Sequence, residues 1–261
     1  MKILLTNDDG LYSAGLKAAY TALESIGEVF VVAPAVQKSG VGRSLSIMEP
    51  IRVSEVTVNG MKVFAVDGTP TDSVIVGIYE VIGDIPDLTV CGINLGENLS
   101  TEAATTSGTV CAALEAATHG SMAIAISLQM PDITKFELTS NDDFSFACRV
   151  LKDIAQVVVD RGLPEGVDLL NVNVPAKPNG KIAITKLARR MYKVSVEKRL
   201  DPRGREYFWI HGEEVEDAED GTDIHALRSG YVSITPLSID LTAKVNFGKF
   251  RRWFDGLGWE V

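Results

Sequence analysis

Two adjacent carboxylates, Asp8 and Asp9, stand in Thr6-Asn7-Asp8-Asp9-Gly10, directly after the apolar run Met1-Lys2-Ile3-Leu4-Leu5. Three further polar clusters follow: Lys38-Ser39-Gly40-Val41-Gly42-Arg43-Ser44, Ile93-Asn94-Leu95-Gly96-Glu97-Asn98 and Thr106-Ser107-Gly108-Thr109. A hard divalent cation such as Mg²⁺ or Mn²⁺ prefers oxygen ligands, keeps water in its shell and binds through one or two carboxylates plus substrate phosphate. Asp8, Asp9, Ser39 and Asn94 would give it two carboxylates, a hydroxyl and an amide oxygen. An ion there could polarise a phosphoryl group, lower the pKa of a bound water, or both. Phosphate-ester hydrolysis needs charge stabilisation more than a large set of side chains. Ser107, Gly108 and Thr109 lead an Ala-rich segment, and hydroxyls with a glycine at a helix start form a ready anion site, phosphate being the anion expected.

Each feature also has a plain structural reading. An Asp pair at a strand end is ordinary turn and cap chemistry when taken alone. Ser39, Asn94 and Asn98 suit turns, and Ser107-Gly108-Thr109 divides between an N-cap and an anion site. Thr69-Pro70-Thr71-Asp72 reads as a helix start. Arg43 could steer phosphate or simply be solvated. His119 falls at a helix end as a cap, whereas His211 and His225 lack ligand spacing. Cys91, Cys111 and Cys148 include no C-x-x-C pair, which argues against zinc or redox chemistry.

The elements that must position these residues follow from periodicity. The opening apolar run reads as a buried strand. Ser13 can cap a helix through Leu16, Ala19, Tyr20, Leu23 and Ile26, and Val29 to Ala33 is a second strand. That βαβ unit, right-handed in nearly all proteins, brings the loop after strand two beside Asp8 and Asp9. Alternation from Ile51 to Val66 across Asn59-Gly60 predicts an inserted hairpin with a type I′ turn. Strands over Leu88 to Gly92, Met122 to Ser127 and Leu169 to Val174 alternate with helices, the last led by a capping box of Ser140 and Asp143. Ligands gather outside the carboxyl ends of the strands in such a sheet, which is where the polar clusters fall. The fold class expected is α/β: a Rossmann-like, mostly parallel sheet flanked by helices, with the hairpin inserted and a C-terminal extension used for oligomerisation. Residues 1–180 form the expected catalytic core and 181–261 the extension, which completes the core and the subunit interface. In the extension, Tyr192 to Val196 and Tyr207 to Ile210 flank the turn Asp201-Pro202-Arg203-Gly204 as a long hairpin. Tyr207, Phe208 and Trp209 suit hairpin packing or a subunit contact. Glu213 to Asp220 is an acidic loop, Tyr231 to Pro236 a strand, and Phe247 to Trp259 a short helix.

Composition narrows the classes. A chain of 261 residues with 46% apolar and 23% charged residues is an ordinary globular protein. Its formal charge of −10 opposes binding to a nucleic acid polymer or to anionic lipid. Few, unpaired cysteines suit a reducing compartment, and the N-terminus enters a strand without a basic, apolar leader, so a cytoplasmic location is expected.

Five ordered motifs carry a resemblance: Asn7-Asp8-Asp9-Gly10, Ser39-Gly40 before Ser44, Gly68-Thr69-Pro70-Thr71-Asp72, Gly92-Ile93-Asn94-Leu95-Gly96-Glu97-Asn98 and Ser107-Gly108-Thr109-Val110. In this order they resemble the SurE family, the survival-protein-E nucleotidases, densely over the first 130 residues and loosely over the whole length. The resemblance implies a metal-dependent phosphatase acting on nucleoside 5′- and often 3′-monophosphates. It implies Asp8, Asp9, Ser39 and Asn94 as ligands of one Mg²⁺ or Mn²⁺ ion per subunit, with Asp8 and Asp9 catalytic. It places Asn98, Ser107, Gly108 and Thr109 around the phosphate, and a homodimer or homotetramer built by exchange of C-terminal elements. Cys91, Thr106 and Cys111 depart from the family's usual Ser, aromatic and Gly. None is an implied metal ligand, and base preference stays open. Two rivals remain. A haloacid-dehalogenase-type phosphatase would form an aspartyl-phosphate, but it uses Asp-x-Asp after strand one. A non-catalytic nucleotide-binding regulator would use the same loops without turnover.

Overall fold

The structure, a computed structural model, describes residues 1–130 and 144–255. The chain opens with β1 (Lys2–Thr6), in which Ile3, Leu4 and Leu5 are fully buried. Helix α1 (Ala14–Leu23) is capped by Ser13, whose hydroxyl accepts from the Leu16 N–H at 3.4 Å. Strand β2 (Glu28–Pro34) then pairs parallel with β1, as the βαβ pattern requires. The expected hairpin consists of β3 (Val53–Val58) and β4 (Met61–Val66). Its turn has φ of 50° at Asn59 and 79° at Gly60, and positive φ at both central residues is the requirement of a type I′ turn. Strand β4 also pairs parallel with β2, so the hairpin is part of the main sheet and β3 is its edge.

Next come α2 (Pro70–Val76), prolonged by a π-helical turn (Gly77–Ile82), and β5 (Leu88–Leu95). Helices α3 (Ser100–Thr106) and α4 (Gly108–Thr118) precede β6 (Met122–Leu128). Helix α5 (Ser145–Arg161) and β7 (Leu169–Val174) finish the parallel set. The capping box expected of Ser140 and Asp143 lies outside the described residues.

The parallel strands are ordered β4-β2-β1-β5-β6-β7. Counted along the chain, this is the 3-2-1-4-5-6 order of a doubly wound nucleotide fold, whose direction of winding reverses between β1 and β5. Period-2 alternation divides the core. Ile3 and Leu5 join α1 and α5 on one face, and Leu4 joins α2 and α4 on the other. Ala112, Ala113 and Ala116 are fully buried, and their small side chains let α4 lie close against β5 and β6.

The chain after residue 180 supplies β8 (Ile182–Ile184), β9 (Tyr192–Leu200), β10 (Glu206–Glu214), α6 (Asp223–Arg228), β11 (Val232–Leu237) and α7 (Phe247–Arg251). Strand β11 pairs antiparallel with β7 and parallel with β8, extending the main sheet to nine strands. Strands β9 and β10 form a separate two-stranded ribbon. No helix among the described residues is long and apolar enough to cross a membrane.

Candidate active site

At the reversal point β1 delivers Asp8 and Asp9 to the sheet edge. Asn7 Nδ2 donates to the Gly10 carbonyl at 3.0 Å and closes the turn. Gly10 has φ of 90°, and a Cβ there would lie 3.1 Å from the Val36 backbone. The Lys38 N–H donates to the Asp8 carbonyl at 2.7 Å, joining the loop after β2 to the end of β1. On the other side, Cys91 of β5 pairs with Ala125 and Asn94 with Ser127, three steps along β5 against two along β6. The extra residue is a β-bulge, a device that re-aims a side chain beside a site. Gly92 makes it possible: at φ of 137° a Cβ would sit 2.3 Å from the Ile126 carbonyl oxygen. The bulged strand presents Asn94 beside Asp9, whose Oδ2 accepts from the Leu95 N–H at 3.2 Å.

Asp8, Asp9, Ser39, Asn94, Asn98 and Ser107 line one cleft of about 680 Å³. Gly108 and Thr109, expected around the phosphate, stand behind Asp8 instead of lining it. The Thr109 hydroxyl donates to Asp8 Oδ1 at 2.5 Å. Burial pushes the Asp8 carboxyl up, against the opposing pull of the Thr109 hydroxyl and of the Asp8, Thr109 and Gly108 N–H groups. The Asp9 carboxyl is pushed up to about 6, by burial first and by the Asp8 charge second, with the Leu95 N–H opposing. No Lys, Arg or His among the described residues offsets either charge.

That donor set fits a hard divalent cation. Every candidate ligand is an oxygen. Asn94 Nδ2 donates to the Gly96 carbonyl at 2.7 Å, so its side-chain oxygen is the atom left to coordinate. Among the described residues no three His, Cys, Asp or Glu side chains gather to hold an ion, which suits an ion that takes one or two carboxylates and completes its shell with water and phosphate.

The side of the cleft expected to take phosphate carries Ser107 and Asn98. Ser107 caps α4 by accepting from the Val110 N–H at 3.2 Å, which leaves its own proton to donate. Asn98 is clamped from two strands. Its N–H donates to Asn173 Oδ1 at 2.8 Å, and its carbonyl accepts from Asn171 Nδ2 at 2.8 Å and Asn173 Nδ2 at 3.1 Å. Its side-chain amide donates to Ser127 Oγ at 2.8 Å. Sequence reasoning missed Asn171 and Asn173, although two buried amides in an otherwise apolar strand were the visible signal. It also missed Gln37, Met130 and Tyr192 in the lining, for which no local signal exists.

Other candidates resolve differently. Arg43 pairs with the buried carboxylate of Glu115 at 2.6 Å and donates to Thr118 at 2.8 Å, so it does not face the cleft. Asp72 completes a capping box with Thr69 and accepts from the Ser46 N–H and hydroxyl, which makes Thr69-Pro70-Thr71-Asp72 a helix start. His119 caps α4 and contacts Glu115 and the Tyr79 hydroxyl. All three cysteines are free thiols.

A doubly wound sheet with two adjacent carboxylates, further oxygen donors and a helix start at its reversal point defines a phosphate-handling α/β protein. The chain matches the family described as "Survival protein SurE" over residues 3–194. It is 83% identical over its full length to the "5'-nucleotidase SurE" of Archaeoglobus fulgidus, each chain covered completely. It is 51% identical to the protein of the same name from Methanothrix thermoacetophila, covering 95% of this chain and 96% of that one. The crystal structure of the SurE protein from Aquifex aeolicus superposes with a TM-score of 0.81 at 38% identity, covering 97% of this chain and 98% of that chain. The chain belongs to the SurE family.

Proposed function

We propose that the protein is a divalent-metal-dependent phosphatase that hydrolyses nucleoside 5′-monophosphates, and 3′-monophosphates as well, to nucleoside and phosphate. Its relatives' names support the 5′-nucleotidase activity. The observation that carries the reading is the pair of a buried Asp8 and a half-buried Asp9, both raised in pKa and facing a cleft that also holds Asn98 and Ser107.

Asp8, Asp9, Ser39 and Asn94 would hold one Mg²⁺ or Mn²⁺ ion per chain. Such an ion, when bound, supplies Lewis-acid polarisation of the phosphoryl group. The chain's residues supply the rest. Asp8 is fixed by Thr109 and keeps its position. Asp9, the less buried carboxylate, orients the attacking water. The Ser107 hydroxyl and the second N–H of the Asn98 amide donate to phosphoryl oxygens and stabilise charge in the transition state. Gly108 and Thr109 act on the phosphate through Asp8 and Ser107.

Assembly into a dimer or tetramer belongs to the same reading. Trp209 and Ile210 on the ribbon and Leu241 and Trp253 in the tail are largely exposed, and large apolar side chains given to water in this number support a protein contact. Cytoplasmic residence is also part of the reading, and the free thiols support it.

Phosphate release from a panel of nucleoside 5′- and 3′-monophosphates, with Mg²⁺, with Mn²⁺ and with a chelator, tests the proposal. Turnover that needs the metal is the expected result. Nucleotide binding without turnover under every metal would point to a regulator instead, and a trapped phosphoryl-enzyme to an aspartyl-phosphate mechanism.

A further inference from the structure

The cleft is too large for phosphate chemistry alone. Its volume of about 680 Å³ lies within the range of about 300–1,000 Å³ typical of sites for organic ligands. Its lining is of two kinds. Asp8, Asp9, Asn94 and Ser107 are polar, whereas Leu95, Ala103, Met130 and Tyr192 offer apolar surface, and Tyr192 is the one aromatic in the lining among the described residues.

Tyr192 stands on a fixed stem. The preceding Met191 is buried with Leu99, Ile224 and Leu227, and Tyr192 packs partly against the same cluster. The Met191 carbonyl accepts from the Val215 N–H at 2.9 Å. Across the ribbon, Gly212 leaves room for the ring's stem, since a Cβ there would lie 2.9 Å from Tyr192 Cβ.

This stem is tied to the phosphate end of the cleft. Leu99, in the cluster beneath Tyr192, directly follows Asn98. Asp223, fully buried, accepts from the Ser100 N–H at 2.7 Å and from the Ala188 N–H at 2.8 Å. The Thr101 N–H donates to the Ala188 carbonyl at 2.8 Å. One carboxylate and one backbone hydrogen bond thus hold the loop after Asn98 at a set distance from the segment leading to Tyr192.

We propose that Tyr192 is the nucleobase platform of this cleft, its ring stacking on the base of a nucleoside monophosphate whose phosphate lies between Asp8 and Ser107. The inference rests on the nucleotidase reading. A π-face accepts purine and pyrimidine bases alike, and Met130 adds a polarizable thioether that adapts to either. The platform therefore favours nucleotides over phosphate esters without a base, with little choice among bases.

Steady-state kinetics with adenosine 5′-monophosphate, alongside competitive inhibition by inorganic phosphate, tests this. In Tyr192→Ala the KM for the nucleotide rises about tenfold or more, as loss of a stacking partner predicts, while the inhibition constant of phosphate stays at the wild-type value. Tyr192→Phe, which keeps the ring, restores the wild-type KM. A KM that does not rise, or that rises in step with the phosphate constant, overturns the proposal while the nucleotidase reading stands. A wild-type protein that releases no phosphate from the nucleotide overturns that reading and the platform with it.

Discussion

The sheet edge at Asp8 and the ribbon β9–β10 depart from an ordinary protein surface in opposite senses. At the edge, charge is taken away from water: Asp8 is 5% exposed and Asp9 is held up to about 6. On the ribbon, apolar surface is given to water: Ile210 is 78% exposed and Trp209 57%. Adjacent like charges held partly out of water call for a compact cation that no side chain among the described residues supplies. Exposed aromatic surface calls for a partner of comparable area. The two departures are thus separated along the chain, and Tyr192, which lines the cleft and begins β9, stands between them.

The comparison breaks first at Asp8. Asp8→Asn should cost roughly 10³-fold in kcat at saturating Mg²⁺ or Mn²⁺, with an unchanged circular dichroism spectrum; near wild-type phosphate release would sink the ligand assignment. On the ribbon, Ile210→Asp should weaken self-association by at least about 30-fold, as loss of an interface anchor does. Light scattering across a dilution series would read that shift, and an unchanged species would mean the ribbon serves another purpose.

A third test concerns stability. A carboxyl whose folded pKa is raised loses stability as pH rises through that value and has its full contribution below the unfolded value near 3.8. Asp9→Asn keeps an acceptor for the Leu95 N–H but removes the charge. The metal-free variant should therefore gain about 2 kcal/mol at pH 8, with the gain fading between pH 6 and pH 4. Denaturant melts at the two ends of that window check it, and a gain of equal size at pH 4 would exclude the charge as its cause. Saturating Mn²⁺ should reverse the order, because only the wild type retains both carboxylates. The smallest effect is expected at Asn173, where alanine removes the acceptor of the Asn98 N–H and one of the two donors to its carbonyl, the other being Asn171. A fall of about tenfold in kcat/KM should result, with Asn173→Asp recovering less than Asn173→Gln because Asp cannot donate to the Asn98 carbonyl.

Much of the fold was readable because buried parallel strands write themselves as apolar runs, as in Ile3-Leu4-Leu5 and in Ala123 to Ile126. Asn59-Gly60 specified its turn for an equally local reason. Helix α3 was not read from Ser100-Thr101-Glu102-Ala103-Ala104-Thr105-Thr106, since serine and threonine are weak helix formers. It is held by tertiary contacts, among them the Ser100 N–H on Asp223. Short α6 escaped notice because Ile224 and Leu227 alone make no period. The candidate ligands were legible because Asp8, Asp9 and Ser39 follow the ends of β1 and β2 and Asn94 stands at the carboxyl end of β5. Tyr192 and Met130 were not, because only the folded chain brings elements so distant in sequence to one wall. The placement of Gly108 and Thr109 behind Asp8 was equally invisible, for a helix start reads the same whether its donors face a ligand or a neighbouring carboxylate.

Gly108 carries one last consequence. A Cβ at that position would lie 2.7 Å from Asp8 Cβ and 2.9 Å from its Oδ2, so α4 and β1 touch with no tolerance between them. A mutational library should find this junction closed to change and the Tyr192 wall open. Within one scaffold, new substrate preferences would then be reached by altering what surrounds the base, while the machinery that grips the phosphate stays as it is.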